Sequence, residues 1–260
     1  MSYSPRHARA YKPRYCELDE RGEATPAAMM ALFEETAVSH CDVTGWDVFR
    51  LRAEGLGWIL LEGGFEMDRY PCYGEEFSIE TWMSGSRLFY GLRGFEVRGG
   101  DGAAIGRAWS LWTFYDLARR RPTPVLGDIL EAWRPDPSVS PSRRAPRAGG
   151  EAPELPAIAD PSGLGPSIEV RPLDIDTNGH VNNVRYLEWA VGAVPAAVRD
   201  GYSLRSVEGR YIHEIKEGQR VLPASFPLQA EGDARAFGLG VYDAEAGTAA
   251  AVASTRWARR

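Results

Sequence analysis

One spacing is written twice along this chain. Asp19-x-x-Gly22 stands just ahead of an apolar stretch that opens at Pro26, and Asp176-x-x-Gly179 stands ahead of a second that opens after Asn182. Gly74 follows Tyr70 as Gly218 follows Glu214, and Gly102, Ala108 and Trp112 are matched in spacing by Gly247, Ala253 and Trp257. Such coincidences at nearly constant offsets support an internal duplication, so the 260 residues are expected to fold as two similar units.

Residues 15 to 115 read as a strand, a helix and then several strands, and residues 167 to 260 repeat that order, a short strand leading into the Asn-rich loop and its helix. In the first, Thr25 can cap a helix with Pro26 at its first position, and Met29, Leu32, Phe33 and Thr36 form its apolar stripe while Glu34 and Glu35 lie mostly on the other side. Strand character follows over Trp58 to Arg69, Phe77 to Met83, Arg87 to Arg98 and Ala103 to Tyr115, with Gly-rich turns between. In the second, Asn182 can cap a helix carrying Leu187, Ala190, Val191 and Val194. Strands are expected near Ser203–His213, Arg220–Leu228, Ala236–Tyr242 and Thr248–Trp257. A helix laid on one face of an antiparallel sheet, so that each buries the other's apolar side, is an α+β arrangement, here in duplicate.

The expected division is an N-terminal unit over 1–133, a linker over 134–166 and a C-terminal unit over 167–260. Eight of the eighteen prolines fall in the linker. Between 119 and 147, seven arginines, among them Arg119, Arg120, Arg121, Arg143 and Arg144, face three acidic residues in a chain of net charge −6. That is either a solvated hinge or a docking surface for an acidic partner. The overall charge argues against nucleic acid as a partner. Cys16, Cys41 and Cys72 are widely spaced and odd in number, as in reduced thiols rather than a disulfide framework or a zinc site. The first fourteen residues are basic and polar with no apolar core, and no later run reaches a membrane span, so a bacterial cytoplasmic protein is expected.

All three asparagines, Asn178, Asn182 and Asn183, crowd into Asp174–Trp189 beside His180. Asp176, Asn178 and His180 bring a carboxylate, an amide and an imidazole to alternate positions, which an extended or turning backbone can project one way. The same residues also suit an Asx-rich turn that merely caps a helix. The first unit has Arg21 and Glu23 at the matching places, so only the second carries the amide and imidazole. His40 and Cys41 are expected in the core, and His213, on a strand beside Glu214, is expected to face away from it. A metal has no convincing third ligand beside His180 and Asp176, and Gly238-Leu239-Gly240 lacks the rest of a dinucleotide loop.

The whole string D-x-D-x-N-x-H-V-N-N-x-x-Y-x-x-W over 174–189 closely resembles the signature of the acyl-acyl carrier protein thioesterases, the plant plastid enzymes and their bacterial relatives. The resemblance implies a tandem double hot-dog fold, each long sheet wrapping its helix. It also implies release of free fatty acid from acyl carrier protein with no cofactor. Tyr211 to Gly218 resembles the family's Y-x-x-E-x-x-x-G, so Glu214 joins Asp176, Asn178 and His180 as the implied catalytic set. Ile215 stands where plant members often have Cys, which disfavours a cysteine mechanism. Under this resemblance Glu214 and His180 handle a water and its proton, Asn178 orients the water or Glu214, and Asp176 fixes the imidazole's tautomer or attacks directly. The oxyanion is expected at the backbone N–H groups of Val181 and Asn182. Met29, Met30 and Phe33 are either plain core or lining of an acyl tunnel, and the arginine cluster becomes a carrier-docking candidate. An acyl-coenzyme A thioesterase, a hot-dog dehydratase and a non-catalytic acyl-binding protein are the rival readings, and a monomer or a homodimer fits equally.

Overall fold

In a computed structural model, which describes residues 5–135 and 163–260, the first long helix runs over Pro26–Val43 (α1). Thr25 Oγ1 accepts the Ala28 N–H at 3.1 Å, and Pro26, which lacks an N–H, occupies the first position. Ala28, Met29, Leu32, Phe33, Thr36, Ala37, His40 and Cys41 recur at helical spacing and are buried. The chain divides into two units, Met1–Pro146 and Arg147–Arg260.

In the first unit the strands are β1 (Arg6–Tyr11), β2 (Leu56–Met67), β3 (Phe77–Arg87), β4 (Tyr90–Gly99), β5 (Ala104–Asp116) and β6 (Arg121–Pro122). They pair antiparallel in the order β1-β3-β4-β5-β2, with β6 beside β5. Helix α1 packs on β1 and β3, and Phe33 meets Phe65 and Phe95 at centroid distances of 6.0 and 5.4 Å. Two short helices, α2 (Val48–Ala53) and α3 (Gly127–Trp133), add a second apolar cluster around Trp133. The strand expected from residue 15 lies earlier, at β1, and Tyr15–Glu17 is a 3₁₀ turn instead. Strand β1 is an edge strand whose Arg6 pairs with Glu80 across to β3 at 2.6 Å.

The second unit contains β7 (Ile168–Glu169), α4 (Asn183–Gly192), α5 (Ala196–Gly201), β8 (Tyr202–Tyr211), β9 (Arg220–Leu228), β10 (Arg235–Asp243) and β11 (Ala249–Arg259). Its antiparallel order is β8-β11-β10-β9-β7. Helix α4 packs on β9 and β10 through a face that includes Leu187 and Ala190. Of the expected linker, the described ends are structured: Arg134 closes α3 at a φ of 44°, and Leu164 bridges to Ala224.

Both units enter their helix through the same knot. A single 3₁₀ turn, Tyr15–Glu17 or Pro172–Asp174, ends in a buried acid that bonds back to the arginine before the turn. Glu17 accepts from Arg14 N at 2.7 Å and Asp174 from Arg171 N at 2.9 Å, and both acids also take guanidinium bonds. Burial pushes the Asp174 pKa up, but hydrogen bonds and charge from Arg171, with Arg185, outweigh it and hold the carboxyl below its usual value. A depressed folded pKa stabilises above the unfolded value and loses that contribution as pH falls through the folded one. Asp174→Ala is therefore expected to cost about 1–3 kcal/mol at pH 7. In urea unfolding, the gap between wild type and variant should narrow as pH drops below about 4.

Candidate active site

Between the 3₁₀ turn and α4 the chain makes a tight hairpin rather than an extended run. Gly179 sits at a φ of +81°, where a side chain would be strained, and Ile175 bridges back to Val181. The Asp176 N–H donates to the His180 carbonyl at 2.8 Å, and the Gly179 N–H to the Asp176 carbonyl at 3.1 Å. Asp176 Oδ1 accepts the Asn178 and His180 backbone N–H groups at 2.8 and 3.4 Å, while its Oδ2 accepts Asn178 Nδ2 at 3.3 Å. Asp176 thus holds the hairpin, as an Asx turn does. The expected contact of this carboxylate with the imidazole is absent among the described contacts, because the hairpin's own amides take both of its oxygens.

The carboxylate on the ring is Glu214. His180 Nε2 lies 2.8 Å from Glu214 Oε2, and Lys216 Nζ stands 3.5 Å from Oε1. Glu214 is not on a strand: β8 ends at Tyr211, and Glu214 sits in the loop that follows. That loop is fastened at Ile215, whose carbonyl accepts the Val181 N–H at 2.9 Å and whose N–H donates to Tyr186 Oη at 3.1 Å. Tyr211 Oη donates to the Asn183 carbonyl at 3.3 Å and meets the Tyr186 ring edge-on at 5.7 Å. The pair itself is open to water, with His180 and Glu214 side chains 37% and 42% exposed.

The expected oxyanion donors have other partners. The Val181 N–H is held by Ile215, and the Asn182 N–H donates to the Asp174 carbonyl at 2.9 Å. Asn182 instead caps α4, its Oδ1 accepting the Val184 N–H at 2.8 Å, and the Arg185 N–H bonds the Asn182 carbonyl. Asn183 is the first-turn residue whose N–H has no partner among the described residues.

Tyr186 is the residue that sequence reading left without a role, although it stands within the asparagine-rich motif. Burial pushes its pKa up to about 12, the Ile215 N–H opposes this, and the charges of Glu214 and Asp176 push the same way as burial. The hydroxyl is therefore neutral at any working pH and serves as the acceptor for the Ile215 N–H.

In the first unit the same hairpin recurs without the same chemistry. Asp19 Oδ1 accepts the Arg21 and Glu23 N–H groups at 2.9 and 3.0 Å, Gly22 has a φ of 78°, and the Ala24 N–H bonds the Pro71 carbonyl at 2.8 Å. Arg21 pairs with Asp19 at 3.1 Å, and Tyr70 occupies the place of Glu214. Met29 and Phe33 are buried in this unit's core and Met30 is half-buried. Arg119 is exposed but paired with Asp116 at 3.0 Å, Arg120 and Arg121 are exposed beside it, and Arg143 and Arg144 lie outside the described residues. Cys16 and Cys72 are exposed and Cys41 is buried, all in the first unit. Among the described residues, no helix is long and apolar enough to cross a membrane.

Two α+β units in tandem, each a long helix on an antiparallel sheet, define a double hot-dog protein. The family model described as acyl-ACP thioesterase N-terminal domain matches residues 5–133, and the one described as acyl-ACP thioesterase C-terminal domain matches 163–259. The chain belongs to the acyl-ACP thioesterase family, ACP being acyl carrier protein. It is similar to oleoyl-acyl carrier protein thioesterase 1 of Arabidopsis thaliana, 25% identical over 80% of this chain and 61% of that protein. It is also similar to the palmitoyl-acyl carrier protein thioesterase of Gossypium hirsutum, 26% identical over 77% of this chain and 50% of that one. The chain therefore spans between half and three-fifths of the length of these relatives. Over whole chains, the fold matches the 12:0-ACP thioesterase of Umbellularia californica, with a TM-score of 0.83, 18% identity and full coverage of both chains.

Tyr186→Phe removes the acceptor of a buried N–H while keeping the ring. It is expected to lower stability by about 1–3 kcal/mol. Amide exchange at Ile215 should accelerate well beyond that of its neighbours, and an unchanged rate would mean that Tyr186 does not hold this loop.

Proposed function

We propose that the chain hydrolyses the thioester of a fatty acyl group carried on acyl carrier protein, releasing the free acid and the carrier's thiol. The observation that carries this reading is the 2.8 Å His180–Glu214 pair, in a chain of this family and on a face that water reaches. With the Nε2 proton directed to Glu214, the imidazole presents Nδ1 as a base. A water gives its proton to the pair as its oxygen attacks the carbonyl carbon. The tetrahedral intermediate then expels the thiolate, which takes a proton back from His180. Asp176 acts through the hairpin it holds, and Asn178, exposed beside it, orients the water. The Asn183 N–H at the start of α4, without a partner among the described residues, replaces Val181 and Asn182 as the backbone donor assigned to the developing oxyanion.

This reading needs no metal or organic cofactor, since the attacking oxygen comes from water and the proton carrier is in the chain. The exposed Arg119, Arg120 and Arg121 supply a basic surface for an acidic carrier, with Arg119 partly neutralised by Asp116. The absence of cysteine from residues 147–260 leaves a thiol nucleophile without a candidate in that unit. A bacterial cytoplasmic setting belongs to the same reading.

The test is thiol release from acyl carrier protein and coenzyme A thioesters, C8 to C18, by wild type, Glu214→Gln and His180→Ala. Release that favours the carrier, weakens with added salt and falls by about 10²–10⁴-fold in both variants is the expected result. Full activity in either variant would move the chemistry elsewhere, and enoyl product without thiol would turn the assignment to a dehydratase.

A further inference from the structure

The loop after β8 brings a third charged side chain to the His180–Glu214 pair. Lys216 Nζ stands 3.5 Å from Glu214 Oε1 while His180 Nε2 stands 2.8 Å from Oε2, so the two oxygens of one carboxylate meet two different groups. The Lys216 backbone is fixed independently of that contact. Its N–H donates to Gln219 Oε1 at 2.7 Å, its carbonyl accepts the Gln219 N–H at 3.2 Å, and Gly218 turns the chain at a φ of 81°. Gln219 Nε2 donates to Asp243 Oδ2 at 3.1 Å, which ties the turn to β10.

The first unit builds the same turn at the matching place. The Cys72 N–H donates to Glu75 Oε2 at 3.1 Å, its carbonyl accepts the Glu75 N–H at 3.1 Å, and Gly74 has a φ of 80°. Cys72 stands there as Lys216 stands here, just as Tyr70 stands in the place of Glu214. The turn therefore does not require a lysine, and the lysine occurs in the unit that has the histidine and the carboxylate. The anchor differs too: Glu75 also takes Arg69 at 2.9 and 2.7 Å, whereas the amide of Gln219 holds the turn without bringing a carboxylate of its own.

With side chains 59% and 42% exposed, the Lys216–Glu214 contact adds little to folding. A unit charge a few ångströms from a proton acceptor nevertheless changes the proton's equilibrium. The other ionisable groups on the surrounding elements are engaged or neutral. Asp176 takes the hairpin's amides, Arg185 of α4 pairs with Asp174 and Glu188, His213 lends its charge to Asp243, and Tyr186 is neutral. Glu217, the remaining acid of the loop, is exposed.

We propose that Lys216 is a positioning residue of the candidate site: its ammonium occupies Glu214 Oε1, which keeps Oε2 on the His180 ring and leaves that ring free to accept the water's proton. The proposal rests on the hydrolase reading above. A positive charge here disfavours a second one on the ring until the oxyanion forms to balance it, so the base stays free at lower pH than the pair alone would allow.

The test is a charge series at one position, Lys216→Arg, Lys216→Met and Lys216→Glu, read in two ways. The first is the imidazole titration of His180 by NMR without substrate, its signal assigned by its loss in His180→Ala. The midpoint should stay in place in Lys216→Arg, rise by about half a pH unit in Lys216→Met and rise further in Lys216→Glu, with added salt shrinking the differences. The second is the acid limb of kcat/KM for thiol release, which should move in the same order because that limb reports the base of the free enzyme. Melting temperatures should stay within about 2 °C of wild type. If Lys216→Met does not fold, the arginine and glutamate variants still bracket the charge. A midpoint that ignores the charge at 216 overturns the proposal, as does a kinetic limb that stays put while the midpoint moves. Equal changes in all three variants, arginine included, overturn it as well. No thiol release from any thioester, with the midpoint still following the charge, removes the hydrolase reading and leaves the hold of Lys216 on the pair standing.

Discussion

The backbone bond from the Val181 N–H to the Ile215 carbonyl is the contact on which the His180–Glu214 geometry depends. His180 and Glu214 come from separate loops, and a half-exposed ion pair contributes little to holding two such loops together. What keeps their side chains within 2.8 Å is that each is the residue before a partner in that bond: His180 before Val181, and Glu214 before Ile215. Ordering the backbones first leaves only side-chain rotation to be restricted when the pair forms. Asp176 completes the arrangement from the hairpin side, and Tyr186 from the helix side. These residues act by position, and His180 and Glu214 can stay solvent-facing because of them.

The duplicated frame shows which parts of this arrangement are structural. Ala24 to Pro71 repeats the Val181 to Ile215 bond, and Asp19 repeats the hairpin of Asp176. The buried position four residues past the helix cap is Tyr186 in the second unit and Met29 in the first. Its partner changes with it, for Ile215 has an N–H to donate and Pro71 has none. Donor and acceptor have been replaced together, so neither unit is left with an unsatisfied group at this position. The frame therefore persists without the tyrosine, and the tyrosine belongs to the unit that must hold a carboxylate beside a histidine.

Much of the fold was legible because burial leaves a periodic trace. The strands after α1 and α4 show it, as do the capping residues Thr25 and Asn182. Strand β1 left no such trace, since Arg6, His7 and Arg9 follow no two-residue alternation and an edge strand tolerates that. Helices α2, α3 and α5 are too short to show a period. At the candidate site, residue types were legible but partners were not. Whether Asp176 meets a ring or an amide depends on the left-handed turn at Gly179. The expected oxyanion donors Val181 and Asn182 have acceptors at Ile215 and Asp174, and a motif read along the chain does not show that both are occupied.

Arg93 was illegible for a related reason. In a run such as Leu92-Arg93-Gly94-Phe95 an arginine reads as the solvated face of a strand, yet it stands two residues from Phe95 and so shares that residue's inward face. Alternation points it inward, while its charge alone would point it to solvent. The two units thus manage polarity in opposite ways. The second keeps its titratable pair at the surface and its core closed, with Tyr186 satisfied by Ile215. The first buries Arg93 beside His40, Thr81 and Trp133 and has a salt-bridged hairpin at the equivalent position.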